Sequence, residues 1–310
     1  MSTFDNSINV AVGGSSIFLG SGTKGTKAFF KEAREIWLTP QGYTFAGNID
    51  VTDAHVQELV ADGKIIVLEQ IASVEEDKSD NTYEDIGRGV NVLDTEGLYG
   101  FKFKFIKGMF NMQILKSLSG NGVFDMLAVD GTGKVLGTLA PDGTSLKGFT
   151  LGIHQQELAE GLLAKNTARE IFKVQLLETA EMSNPAIKYA DDNFNGLNAS
   201  PVNEIKIEFV NTPSDTDTSV TIKATYKQDG SPFTGAAFGQ WNVKINGVAA
   251  NPAAGDDSVT EGTYVLTGVT AISTNDVVSA SLYDNANNRP GIIVGGFIYK
   301  SATISKVAVA

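Results

Sequence analysis

The sequence predicts a mainly β protein of the α+β class. An N-terminal β-sandwich or barrel-like domain with short flanking helices precedes a C-terminal β-sandwich of immunoglobulin-like architecture. Short runs of alternating apolar and polar residues recur along the 310 residues, as in half-buried strands. Thirty-three glycines, together with many Asn, Asp and Thr residues, supply turns between such runs. After residue 203 nearly every segment alternates, and this places the second sandwich at residues 204–310.

The first domain is predicted to cover residues 1–183 and to drive assembly, with a glycine-rich arm at residues 9–25. In FKFKF, Phe101, Phe103 and Phe105 alternate with lysines, so a strand with one buried face is expected. The predicted elements, in chain order, are a short helix or strand at 26–40, a helix at 51–63, a strand at 64–74, a strand at 101–105, a helix at 110–118, hairpin strands within 123–153, a helix at 154–166 and a strand at 169–179.

Residues 184–203 are predicted to link the two domains, because they are rich in Asn, Asp and Pro and show no apolar period. Six or seven short alternating strands follow in residues 204–310. That number suits two packed antiparallel sheets. Trp241 is assigned to the core between them.

Charge and composition exclude several kinds of site. The net charge is −12, of which residues 201–310 carry −3 and the first 200 residues −9. An acidic surface does not grip nucleic acid, although DNA can pass it without binding. No cysteine and only two histidines are present, which excludes thiolate and His-rich metal sites. No catalytic centre or cofactor is predicted, because the paired acids lie in loop-like segments and GSGTKG at residues 20–25 lacks the βαβ context of a dinucleotide site. We expect neither a signal peptide nor a membrane span.

An acidic segment is the main candidate functional element. Residues 69–85 hold seven acids and one lysine without apolar periodicity, which predicts a solvated loop or hairpin tip. This loop either lines an enclosed channel or forms an interface, or it only keeps an outer surface solvated. Its candidate residues are Glu75, Glu76, Asp77, Asp80, Glu84 and Asp85.

Two lysines and the two histidines receive separate expectations. Lys102 and Lys104 are expected on the outward face of their strand, where they either meet acids of a neighbouring subunit or remain simply solvated. His154 is placed near the start of a helix and His55 inside one. Both histidines are expected to pack at a surface or an interface.

Three features occur together in this sequence. They are an immunoglobulin-like appendage, the expected lack of an export signal, and a first domain of strands, short helices and acidic loops. In these features the chain resembles structural proteins of tailed-bacteriophage virions, and most closely a tail-tube protein with a C-terminal immunoglobulin-like domain. The resemblance implies a non-enzymatic subunit, made in the host cytoplasm, that forms stacked rings with itself and contacts other virion proteins while DNA passes without specific binding. Capsid decoration, a connector or another head or tail role stays open.

A carbohydrate-binding module or adhesin is the alternative of another class. In that case the C-terminal domain recognises host surface polysaccharide through exposed aromatic rings. The candidate platform is Phe233, Phe238 and Tyr283.

Overall fold

The computed structural model describes residues 30–45, 51–79, 81–85, 91–95, 97–106, 115–121, 123–160, 169–256 and 260–310. Strands account for 50% of the described residues and helices for 11%, so the predicted mainly β class is confirmed. The chain divides into two compact units. The first comprises the residues up to Val56 and Ile65–Ala199, and the second comprises Gln57–Lys64 and Ser200–Ala310.

The first unit is built on a large antiparallel sheet. Its described elements are β1 Ala33–Pro40, β2 Thr44–Phe45, the start of α1 Asp53–Asp62, β3 Ile66–Leu68, β4 Ile71–Glu76, β5 Thr82–Asp85, β6 Asn91–Thr95, β7 Gly100–Phe105, β8 Gly120–Asn121, β9 Phe124–Asp130, β10 Val135–Leu139, β11 Leu146–Lys147, β12 Phe149–Glu160, β13 Arg169–Leu176 and β14 Pro185–Lys188, with 3-10 turns at Thr179–Ser183 and Gly196–Asn198. The strands run in the order β2-β11-β10-β9-β12-β13-β7-β4. In addition, β1 pairs with β3 and β9, β14 with β10, and β8 with β12.

The core of this unit lies under the phenylalanine row of β7. Phe101, Phe103 and Phe105 are at most 2% exposed, which confirms that the apolar side of FKFKF is buried. Phe172 and Val174 of β13 lie beside them, because β13 pairs with β7 in the register Phe172↔Phe103. Burial of large apolar side chains of this kind is the dominant favourable contribution to folding.

The helix predicted at residues 51–63 is observed as α1. Thr52 Oγ1 accepts a hydrogen bond from the backbone N–H of His55 at 3.2 Å, as an N-cap does. Gly63 follows the helix with φ +81°, a left-handed conformation that favours glycine at a helix end.

The helix predicted at residues 154–166 is wrong where the structure describes it. Residues 154–160 continue β12, which pairs with β13 on one edge and with β8 and β9 on the other. Gln, Glu, Leu and Ala favour helices locally, but pairing with β13 along this segment, and with β8 at His154, outweighs that weak preference. Residues 161–168 lie outside the described residues, as do Phe110 and Ile114 of the other predicted helix, where residues 115–117 form one helical turn.

Two further segments differ from the sequence-based expectations. The strand predicted at 64–74 is divided into β3 and β4 at Gln70, whose φ is +65°. The segment predicted as a linker contains β14, which pairs with β10 from Val135↔Lys188 to Thr138↔Pro185. Phe194 is 2% exposed and packs edge-on against Trp37, with ring centroids 6.5 Å apart.

The second unit is a β-sandwich of two sheets. Its strands are β15 Val202–Phe209, β16 Ser219–Tyr226, β17 Trp241–Ile245, β18 Val248–Ala249, β19 Ala254–Asp256, β20 Thr263–Thr267, β21 Val277–Leu282, β22 Ile292–Val294, β23 Phe297–Ser301 and β24 Ile304–Val307. The sheets have the orders β19-β20-β16-β15-β23-β22 and β18-β17-β21-β24. Only the β15–β23 pair is parallel among the ladders described in this unit. Trp241 is fully buried between the sheets, as predicted.

Candidate functional site

A network of opposite charges crosses four strands of the first unit. Strand side chains alternate between two faces, so the lysines of β7 lie opposite its buried phenylalanines. The strand register places Glu75 of β4 and Lys173 of β13 on either side of Lys102. The face defined by Glu75, Asp77, Lys102, Lys104, Glu157 and Lys173 is called the charged face below.

Ion pairs join these six residues within one chain. Lys102 Nζ lies 3.6 Å from Asp77 Oδ1 and 3.5 Å from Glu157 Oε2. Lys173 Nζ lies 2.6 Å from Asp77 Oδ2, and Lys104 Nζ lies 2.8 Å from Glu75 Oε1. The three positive charges are therefore balanced by three negative ones on the same face.

The expectation for the two lysines of β7 needs correction. Lys102 and Lys104 contact acids of their own chain, and Lys104 is buried at 7% exposure rather than solvated. Sequence inspection missed these partners because the lysines and Glu75 are more than 25 residues apart and meet only through the β4–β7 register.

Asp77 is held at the centre of the charged face by its backbone. Its N–H donates to the carbonyl oxygen of Gly100 at 2.8 Å. A Cβ on Gly100 would lie 2.5 Å from the carbonyl oxygen of Asp77, so this close approach requires glycine. The hydrogen bond from Lys173 holds the pKa of Asp77 below its usual value, and Asp77 in turn raises the pKa of Lys173.

Replacing Asp77 with asparagine should lower the free energy of unfolding by at most about 1 kcal/mol at pH 7, because the ion pairs are partly exposed. The pKa of Asp77 is lower in the folded than in the unfolded chain, so its contribution is complete above the unfolded value of 3.8 and disappears as the pH falls through the folded value. Urea titrations from pH 7 to pH 2 should show the variant and the parent converging at the acidic end. Glu84→Gln, at an exposed acid, is the matched control, and a difference that stayed constant with pH would contradict the electrostatic cause.

The predicted acidic loop is partly strand. Glu75 and Glu76 belong to β4, and Glu84 and Asp85 belong to β5. Glu76 and Glu84 are exposed, whereas Asp80 lies outside the described residues. Glu75 and Asp77 therefore belong to the charged face, whereas Glu84 and Asp85 belong to a separate hairpin.

That hairpin, formed by β5 and β6, is a two-stranded sheet of its own. Its base is tied by Asn81 Oδ1, which accepts from the N–H of Gly97 at 2.8 Å, and by Ser79 Oγ, which accepts from the N–H of Leu98 at 2.8 Å. Tyr83 is 60% exposed, the largest exposed fraction among the aromatic residues of the described chain. This large ring on a small sheet is available for contact.

The predicted glycan platform loses one member. Phe233 is fully buried, its ring lies 4.8 Å from that of Tyr299, and its carbonyl oxygen accepts from the Tyr264 hydroxyl at 3.1 Å. Phe238 is 45% exposed, and half-buried Tyr283 donates its hydroxyl to Asn288 Oδ1 at 2.7 Å. Phe233 therefore belongs to the core of the second unit.

His154 is not at a surface, contrary to expectation. It lies fully buried on β12, and Leu118 O accepts from its Nδ1–H at 2.7 Å. Burial lowers the pKa of this imidazole. The ring of Phe124 lies 5.1 Å away, so His154 acts as a neutral packing residue. His55 is half-buried on α1.

A buried polar cluster was also missed. Lys147 Nζ lies 2.7 Å from Glu181 Oε1, 2.6 Å from Thr150 Oγ1 and 3.7 Å from Asp125 Oδ2. Asp125 is fully buried, and desolvation raises the pKa of its carboxyl group. Gly42 N–H donates to Asp125 Oδ2 at 2.8 Å. The cluster fastens the β9–β12 region to the 3-10 turn at residues 179–183.

In the described part of the chain, no group of three or more His, Asp or Glu side chains is arranged to hold a metal ion. None of its helices is both long and apolar enough to cross a membrane. No model of a known protein family matches the chain, and no curated protein matches it either.

Proposed function

We propose that the chain is a non-enzymatic structural subunit of a tailed-phage virion that assembles with itself into stacked rings of a tail tube. The β5–β6 hairpin is the observation that carries this proposal. A two-stranded hairpin is marginally stable at best in water and requires packing against another surface. A second copy of the chain supplies that surface, with Tyr83 as the aromatic anchor.

The charged face supports the second part of the proposal, which is passage of DNA without binding. A protein binds DNA by neutralising phosphates with Lys and Arg and releasing counterions. Lys102, Lys104 and Lys173 are each already paired with an acid, so they gain little from a phosphate. A ring that presents this balanced face to its channel would offer a duplex few unpaired cations, and the net charge of −12 on the whole chain further disfavours phosphate binding.

A capsid-decoration protein or a connector would use the same self-association. The position of the protein in a virion distinguishes these roles from a tail tube. For the second unit we propose a peripheral position. Phe238 and Tyr283 remain there as contacts for host surface polysaccharide, without Phe233.

Negative-stain microscopy and sedimentation velocity of the full chain test the proposal. Rings or tubes are expected for the parent protein. Tyr83→Ser should weaken association at least about tenfold, since burying an aromatic side chain contributes about 1.5–3 kcal/mol. Phe297→Ser is the matched control, because this ring is 54% exposed in the second unit.

Two results would count against the proposal. If the parent protein stays monomeric at every concentration, the proposal of self-assembly is wrong. If Tyr83→Ser forms rings as well as the parent protein, the hairpin is not the contact between subunits. Self-assembly would then have to use another surface.

A further inference from the structure

The buried cluster around Lys147 brings an amine and a carboxyl group together inside the first unit. Lys147 Nζ lies 3.7 Å from Asp125 Oδ2, and the two side chains are 15% and 0% exposed. The residues belong to different strands, Asp125 to β9 and Lys147 to β11. A lysine amine is a nucleophile and a carboxyl carbon is an electrophile, and burial limits the water that would reverse their condensation.

The close approach of these two strands depends on Gly148. A Cβ at this position would lie 2.9 Å from Asp125 Cβ and 2.8 Å from the backbone nitrogen of Met126, closer than real contacts allow. Glycine therefore lets the chain that follows Lys147 run directly against β9, where Phe149 pairs with Met126. Reacting groups held in place in this way do not pay the entropy cost of an encounter, so their reaction is strongly accelerated.

Glu181 is placed to take a proton from the amine. Its Oε1 lies 2.7 Å from Lys147 Nζ. Thr150 fixes this carboxylate, because its backbone N–H donates to Glu181 Oε2 at 2.6 Å and its hydroxyl donates to Glu181 Oε1 at 2.9 Å. A lysine becomes a nucleophile only after it loses a proton, so a carboxylate held at hydrogen-bond distance is the general base that such a reaction requires.

Asp125 has two properties of an electrophilic carboxyl group. Desolvation raises its pKa, which favours the protonated acid, and this is the form that can lose a hydroxyl group as water. The backbone N–H of Gly42 donates to Asp125 Oδ2 at 2.8 Å. This donor polarises the carbonyl group and stabilises the negative charge that develops on Oδ2 during attack, as an oxyanion hole does.

We propose that Lys147 and Asp125 form an amide bond within the folded chain, without an enzyme or cofactor. Glu181 accepts one proton from the Lys147 ammonium group, and the resulting amine attacks Cγ of the Asp125 carboxylic acid. The Cγ–Nζ bond forms, a second proton passes from Nζ to Oδ1, and the Cγ–Oδ1 bond breaks. The products are the amide, one water molecule and protonated Glu181. The ion pair described above is the state before this reaction, and the reaction requires no ring assembly.

Peptide mapping of the full chain by mass spectrometry tests the proposal. Trypsin should release a branched peptide in which residues 117–134 are joined to residues 135–165, uncleaved after Lys147 and one water lighter than the two parts. The pair of Lys188 and Asp191, whose Nζ and Oδ2 lie 2.5 Å apart, is an internal control. It should stay unlinked, because Asp191 is exposed and the hydrogen bond from Lys188 lowers the pKa of its carboxyl group.

Two variants identify the reacting groups. Lys147→Arg keeps a positive charge, but its guanidinium group is not a nucleophile, so the branched peptide should be absent. Glu181→Gln keeps a polar side chain but removes the base, and should slow formation of the branched peptide at least about a hundredfold. Lys206→Arg, at the exposed pair of Lys206 and Glu208, is the matched control and should leave the yield unchanged.

Three results would overturn the proposal. The first is a folded parent protein without the branched peptide after prolonged incubation between pH 5 and pH 8. The second is a loss of water that mild base reverses, because Asp142-Gly143 in the same peptide can form a base-labile succinimide, whereas a side-chain amide persists. The third is a link between two chains, which a dimer on a denaturing gel would reveal.

Discussion

Replacing Phe103 with alanine is expected to lower the free energy of unfolding of the first unit by about 3–5 kcal/mol. Phe103 is fully buried at the centre of β7, with its ring 6.3 Å from that of Phe101. Truncation removes apolar contacts and leaves a cavity that the surrounding strands can only partly fill. The loss is a large fraction of the roughly 5–15 kcal/mol that stabilises a typical domain.

Tryptophan fluorescence during urea unfolding can follow each unit separately. Trp37 is buried in the first unit and Trp241 in the second, so Trp241→Phe leaves a probe of the first unit. Phe297→Ala, at an exposed phenylalanine, should change stability by less than about 0.5 kcal/mol. A loss below about 1 kcal/mol for Phe103→Ala would show that the core can collapse around the smaller residue.

Lys147→Met should destabilise the first unit by about 3–5 kcal/mol, because removing one partner leaves a buried charge uncompensated. The Glu181 side chain is 11% exposed and its Oε1 loses the ammonium group 2.7 Å away, while Asp125 loses its nearby positive charge. Methionine keeps most of the apolar stem, so the loss reports the charge rather than the packing. Urea unfolding at pH 7 measures it.

The partner substitution identifies the cause. Glu181→Gln in the Lys147→Met background removes the unpaired negative charge. It should restore about 1–2 kcal/mol of the free energy of unfolding, and a double-mutant cycle detects this coupling. Lys206→Met is the matched control, because Lys206 Nζ and Glu208 Oε1 form an exposed pair 2.6 Å apart in the second unit. Additive losses in the cycle would contradict an electrostatic origin.

Alternation in the sequence predicted the fold best where one face of a strand is fully buried. FKFKF and NEIKIEF place Phe103 and Ile207 correctly, because the period of two is enforced by a core on one side only. It failed at residues 154–160, where the composition favours a helix and only pairing with β13, together with β8 at His154, makes a strand. Because these partner strands are distant in sequence, the local sequence pattern of residues 154–160 does not indicate them.

The charged face could be predicted only in part. Lysines on the outer side of β7 follow from alternation, but their partners depend on strand register, which brings Glu75 beside Lys102. Phe233 and Phe238 lie outside the regular strands, where no period indicates which ring is buried. The buried Lys147 cluster involves residues from three separate segments and has no sequence signature.

The parallel pair in the second unit constrains how this unit forms during synthesis. Val202 of β15 pairs with Ile298 of β23. β15, a central strand of the larger sheet of the second unit, therefore has one edge unpaired until β23 is translated nearly a hundred residues later. At about 5–20 residues per second, the ribosome takes on the order of 5–20 s to supply it. During that interval the unpaired edge of β15 can pair with strands of other nascent chains. The translation of β23 therefore determines when the edge of β15 is protected from misassembly.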